Sequence, residues 1–271
     1  MKKINKKFLK KNKIIILIIL LIILTILLII VNNFSGNDIK DKKINTLYSY
    51  ISNDEIEKCG GLQFYQKDKV TTDTLTDDVK MCIAFIKTDE MKSEKKTYNK
   101  DKKKKTCTTK DKMVFATDNY EESKCSVDVY DLDSVKSTYK KIFGSASTEE
   151  LEYFNLDDYN ICYIKDSKIY CGLSEIFSFT IGDEAYVYRT LKKTVEKGDS
   201  IIIYDYFIKV DDDKCYTSFN GSENKKCSKN LDDDTKVNYK FIKKYGAIYK
   251  HTFKKLNDNK FYSWVESEKI D

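Results

Sequence analysis

The 271-residue chain contains no proline, only nine glycines and a single histidine, His251. Average usage would give about 14 prolines in a chain of this length. Their absence excludes Pro-rich recognition segments and collagen-like structure, and leaves turns to Asn, Asp, Ser and the few glycines. No glycines fall in Gly-x-Gly-x-x-Gly or Walker spacing, so the loops that cradle phosphates are missing. There is no Cys-x-x-Cys and no Gly-x-Ser-x-Gly, which removes the common zinc sites and the nucleophile elbow of serine hydrolases. His251 alternates in phase with Tyr249 and Phe253 and is expected to pack within a strand. No residue is therefore assigned a catalytic, cofactor-binding or metal-ligating role, and no cofactor is expected.

The net charge of +6 is local in origin. Seven of the 49 basic residues lie in the first thirteen positions, with no acid among them, leaving 42 basic against 43 acidic side chains beyond. Directly after Lys13 comes Ile14 to Val31, a run of Ile, Leu and Val interrupted only by Thr25. As a helix at roughly 1.5 Å per residue it would reach about 27 Å, close to the ~30 Å hydrocarbon layer of a bilayer. It contains no Gly and no ionisable side chain, so it is expected to anchor the chain rather than conduct anything. The lysine cluster before it orients the segment with the N-terminus in the cytoplasm. No small-x-small site follows, so an uncleaved signal anchor is expected.

All eight cysteines (Cys59, Cys82, Cys107, Cys125, Cys162, Cys171, Cys215 and Cys227) lie beyond this run, on the side expected to be exported. An even number in an exported domain reads as a disulfide framework, although eight cysteines allow 105 pairings. Two alternating segments around Asp166-Ser167 place Cys162 opposite Cys171 at a non-hydrogen-bonded pair, within bridging distance. Cys215 and Cys227 bracket Asn220-Gly221, a hairpin-turn dipeptide, with a register one residue off that calls for a bulge. By elimination and proximity, Cys59 is paired with Cys82 and Cys107 with Cys125.

Four segments are read from the sequence: a cytoplasmic lysine-rich tail (1–13), a transmembrane signal anchor (14–31), a helical membrane-proximal part (32–112) and an extracytoplasmic α+β domain (113–271). Helical periodicity appears at Ile44, Leu47, Tyr48 and Ile51, and again after Thr76 with Val79, Cys82, Ile83 and Ile86. Asp133 is read as capping a helix that carries Val135, Tyr139, Ile142 and Phe143 and stops at Gly144. Alternating Tyr, Ile and Val segments dominate from Tyr159 onward and favour antiparallel sheet. Helices early and hairpins late predict the α+β class, helices packed on a curved antiparallel sheet stapled by disulfides.

Residues 92–112 are lysine-rich and almost free of apolar side chains, the pattern of a solvated loop. Its centre, Lys102, Lys103, Lys104 and Lys105, is a candidate binding patch for a cell-envelope polyanion. No interleaved aromatic platform accompanies it, so nucleic acid is not an expected partner. Tyr186, Tyr188, Tyr204, Tyr206, Tyr262 and Trp264 offer a candidate aromatic face. The acidic pairs, such as Asp157-Asp158, suit turns and caps as well as they suit chemistry. The sequence thus predicts a single-pass membrane protein displaying a binding or scaffolding domain at the cell surface. Its expected partners are the bilayer and an envelope polymer or another membrane protein, and the alternative is an exported carboxylate-based hydrolase.

Overall fold

The computed structural model describes residues 41–102, 104–117, 122–145, 151–175, 186–211, 214–221, 224–227, 237–256 and 261–270. The expected tail and anchor lie outside them, as does Lys103. Among the described residues no helix is long and apolar enough to cross a membrane. The chain divides into two compact units, Met1–Thr46 and Leu47–Asp271.

Helix α1 covers 41–48, and α2 (Asp54–Lys58) is capped by the Asn53 side chain, which accepts from the Glu55 amide. A 3-10 turn, Gly61–Tyr65, follows. Two longer helices come next, α3 (Asp77–Ile86) and α4 (Leu132–Phe143), and a shorter α5 (Tyr239–Tyr245). The strands in chain order are β1 (Val70–Thr71), β2 (Glu94–Asn99), β3 (Thr106–Thr108), β4 (Val114–Ala116), β5 (Lys124–Asp131), β6 (Tyr153–Asn155) and β7 (Asn160–Lys165), then β8 (Lys168–Leu173), β9 (Tyr186–Lys197), β10 (Ser200–Asp211), β11 (Lys214–Tyr216), β12 (Asn224–Lys226), β13 (Ala247–Lys255) and β14 (Tyr262–Lys269).

The α+β class is corrected by this inventory. Among the described residues 43% lie in strands against 25% in helices, so the fold is mostly β-sheet; the lysine-rich stretch expected as a loop adds β2 and β3 to the strands expected later in the chain. β2 pairs along its whole length with β5. It escapes the usual reading because it is a polar strand paired on one side: its residues are exposed or half-buried, and only Tyr98 reaches the apolar cluster beneath.

The strands form a seven-stranded sheet holding β1, β14, β13, β10, β11, β12 and β9, a five-stranded sheet in the order β2-β5-β8-β7-β6, and the β3–β4 hairpin. One face of the five-stranded sheet packs Cys125, Val127 and Val129 against Cys107, Met113 and Phe115 of the hairpin. Helix α3 covers the other face, with the Phe85 ring edge-on to Tyr130 at 5.0 Å and near Phe154. α3 and α4 pack on each other, and α4 meets β14 of the larger sheet. The Asp77 carboxylate accepts from Tyr139 at 2.8 Å across that helix pair. On the larger sheet, Ile242 of α5 joins Tyr206, Ile208, Val210, Cys215 and Cys227.

Helix α4 shows how local chemistry sets its limits. Asp131, two residues ahead of the expected cap, accepts from the Ser134 amide, and Asp133 falls in the first turn instead. Gly144 ends the helix at φ +79°, where a Cβ would lie 2.0 Å from Leu256 Cδ1. Gly198 also has positive φ, +57°, but opens onto empty space. Gly144→Ala is therefore expected to cost more than Gly198→Ala: about 2–4 kcal/mol against about 1 kcal/mol, since only the former adds a clash to the left-handed strain. Urea-unfolding midpoints of the two variants check this order.

Candidate functional site

A well-formed cleft lies at the β6 edge of the five-stranded sheet. It has a volume of about 640 Å³, within the range of small-molecule sites. One wall comes from the start of the unit: Lys58 and Cys59 end α2, Gly60 adopts φ +77°, and Gln63 follows. Asp78 and Val79, in the first turn of α3, continue that wall, and the Cys59–Cys82 bridge ties the two segments together. The opposite wall is the β6–β7 hairpin with Tyr153, Asn155, Asp157, Asp158, Ile161 and Tyr163, and Ser174 closes one end.

Tyr153 and Tyr163 are directly paired across β6 and β7, with ring centroids 6.1 Å apart and planes tilted by 52°. Tyr163 is held edge-on to Phe115 and donates its hydroxyl to the Val114 carbonyl at 3.4 Å. Tyr153 by contrast is 51% exposed. Asp157 is occupied structurally: it accepts from the Tyr159 and Asn160 amides at 2.8 and 2.7 Å and from the Asn160 side chain. Its role is to fix the turn, which leaves Asp78 and Asp158 as the carboxylates available to a ligand. A second cleft, about 440 Å³, shares Tyr163 with the first and is lined by Asp111, Lys112, Met113, Glu152 and Lys165 among others.

A second cluster has the residue types of a hydrolytic triad, and sequence reasoning did not bring it together. His251 lies between Ser267, at 2.6 Å from Nδ1, and Asp205, at 3.1 Å from Nε2. The Trp264 indole donates to Ser267 Oγ at 3.0 Å. Asp205 also accepts from the Tyr48 and Tyr65 hydroxyls at 2.9 and 2.7 Å. The proton order that satisfies every group runs from Trp264 to Ser267, from Ser267 to Nδ1, and from Nε2–H to Asp205. Asp205 and His251 are fully buried and Ser267 is 1% exposed, so no substrate reaches the serine. This row is a core network, consistent with the expectation of a packed histidine. Burial first, and then the Asp205 charge, raise the Tyr48 and Tyr65 hydroxyls well above the ordinary tyrosine range. Beside them, Arg189 is paired with Glu57 and stacks on the Tyr65 ring at 5.6 Å, its pKa lowered by burial.

The four bridges join Cys59–Cys82, Cys107–Cys125, Cys162–Cys171 and Cys215–Cys227, the same pairs reached from the sequence, and no cysteine is free. Cys162 and Cys171 are directly opposed, with Cα atoms 4.1 Å apart. Lys102, Lys104 and Lys105 are exposed in the connection from β2 to β3. The aromatic candidates do not form one face: Trp264 is fully buried, Tyr206 is 5% exposed, and lysines cover Tyr204 and Tyr206. Among the described residues no group of three or more His, Cys, Asp or Glu side chains could hold a metal ion. No known protein family matches the chain, and no curated protein or solved structure matches it either.

Proposed function

We propose that this chain is a single-pass membrane protein, anchored by residues 14–31 with its N-terminus in the cytoplasm, that displays an extracytoplasmic binding domain at the cell surface. The observation that carries the location is the complete pairing of all eight cysteines within the domain, the pattern of a protein kept in an oxidising compartment. Binding is supported by the cleft beside Tyr153, which has the size of a ligand site and an exposed aromatic at its mouth. A hydrolase through Asp205, His251 and Ser267 is disfavoured by their burial.

A carboxylate hydrolase is the second reading, favoured by Asp78 and Asp158 lining one cleft. It requires that Asp78→Asn or Asp158→Asn abolish turnover, whereas a binding domain has no turnover to lose. Topology is tested by protease treatment of intact cells. The domain is expected to be cut away while the lysine-rich tail survives. A domain digested only after permeabilisation would contradict the proposal.

A further inference from the structure

We infer that the ligand of this cleft is a saccharide chain, running from the larger cleft past the Tyr153–Tyr163 pair into the smaller one. The inference rests on reading the cleft as the binding site and adds the chemical class of what it holds. Three observations carry it.

The first is adjacency. Tyr163 lines both clefts, and its cross-strand partner Tyr153 lines the larger one, so a ligand laid across both would have more length of surface than either offers alone. A surface in two compartments suits an oligomer better than a single compact metabolite.

The second is the balance of charge and hydrogen-bonding groups. Each cleft is lined by both acids and lysines: Lys58 with Asp78 and Asp158 in the larger, and Lys112 and Lys165 with Asp111 and Glu152 in the smaller. A cationic ligand would meet the lysines and an anionic one the carboxylates. A neutral ligand carrying both donors and acceptors at short intervals, as sugar hydroxyls do, is complementary to both clefts. Gln63, Asn155 and Ser174 add groups that donate and accept.

The third is the aromatic geometry. Tyr163 is locked by Phe115 and by its bond to Val114, and Tyr153 stands against it half-exposed. A rigid ring with an open face is the surface on which the C–H side of a pyranose stacks while its hydroxyls reach the flanking polar groups. Asp157 does not take part, since its oxygens hold the turn.

The test uses the full-length chain in phospholipid nanodiscs, titrated with disaccharides to hexasaccharides of three neutral series: β-1,4-glucose, β-1,4-N-acetylglucosamine and α-mannose. Hexalysine serves as the cationic probe. A hexasaccharide of at least one series is expected to bind more tightly than its disaccharide. Tyr153→Ala should weaken that binding about tenfold, the loss of one stacking contact, and Tyr153→Trp should retain it. Because Tyr153 is half-exposed, these variants fold, and circular dichroism checks that they do. Hexalysine binding that Tyr153→Ala weakens, without saccharide binding, would overturn the saccharide class and leave the cleft as the site. Saccharide binding indifferent to Tyr153→Ala would remove the cleft itself. Failure of every probe would overturn the inference.

Discussion

Replacing Asp205 by alanine is expected to lower the stability of the Leu47–Asp271 unit by about 3–5 kcal/mol, the range for removing one partner from a buried polar cluster. Three donors lose their acceptor at once: Tyr48, Tyr65 and His251 Nε2. Bulk solvent does not reach the carboxylate, because Asp205 and His251 have no exposure. For a unit of this size the melting temperature should fall by about 10 °C or more. The same cluster gives an alkaline limit to stability. The folded-state pKa values of Tyr48 and Tyr65 lie above the ordinary value of 10.0. Their contribution is therefore complete below that value and is lost as pH rises through the higher folded values. Tyr48→Phe with Tyr65→Phe should flatten the alkaline limb of a stability–pH curve. An Asp205→Ala protein that melts with the wild type would show that the network carries no stability.

Reduction of the disulfides is expected to have the largest effect of all. The bridges close segments with separations of 23, 18, 9 and 12 residues. Chain-entropy estimates for loops of these lengths run from about 2.6 to about 3.4 kcal/mol each, about 12 kcal/mol together. That is comparable with the whole stability of an ordinary domain, about 5–15 kcal/mol. Full reduction should therefore unfold the domain in native buffer, read as loss of near-ultraviolet circular dichroism from the buried Trp264, Tyr65, Tyr139 and Tyr249. The separate bridges hold different layers. Cys107–Cys125 pins the β3–β4 hairpin to β5, whereas Cys59–Cys82 fixes the wall of the cleft. Cys59→Ser with Cys82→Ser should thus weaken binding at the cleft more than Cys107→Ser with Cys125→Ser does. A reduced protein that kept a cooperative transition near the oxidised one would contradict this account.

The elements legible in the sequence are those whose signals are local. The hairpin joining Cys162 to Cys171 follows from Asp166 and Ser167, which adopt positive φ of 48° and 60° in the two-residue turn. Gly144 and the apolar face of α4 were likewise readable, although Asp131 rather than Asp133 supplies the cap. What escaped is non-local or irregular. β2 looks like a soluble loop because it buries so little. Trp264 and Ser267 would lie on opposite faces of a regular strand, but the register of β13 against β14 shifts between Thr252 and Phe253. Val265 is the extra residue, and the bulge turns residues three apart toward one face, so the indole reaches the serine. A similar shift between β9 and β10 falls at Tyr204/Asp205. The cleft was not readable either, since residues 58–79 and 153–174 meet only through the fold. Asp157 and Asp158 were visible as an acidic pair, but that Asp157 holds the turn while Asp158 does not depends on which amides lie within reach.

The most direct test of the central claim is the thiol state of the full-length chain taken from the cells that make it, with free thiols trapped by alkylation at the moment of lysis. The account predicts no alkylated cysteine before reduction and eight afterwards, with non-reduced peptides linking Cys59 to Cys82, Cys107 to Cys125, Cys162 to Cys171 and Cys215 to Cys227. Eight thiols already alkylated before reduction would place the domain in a reducing compartment and contradict it.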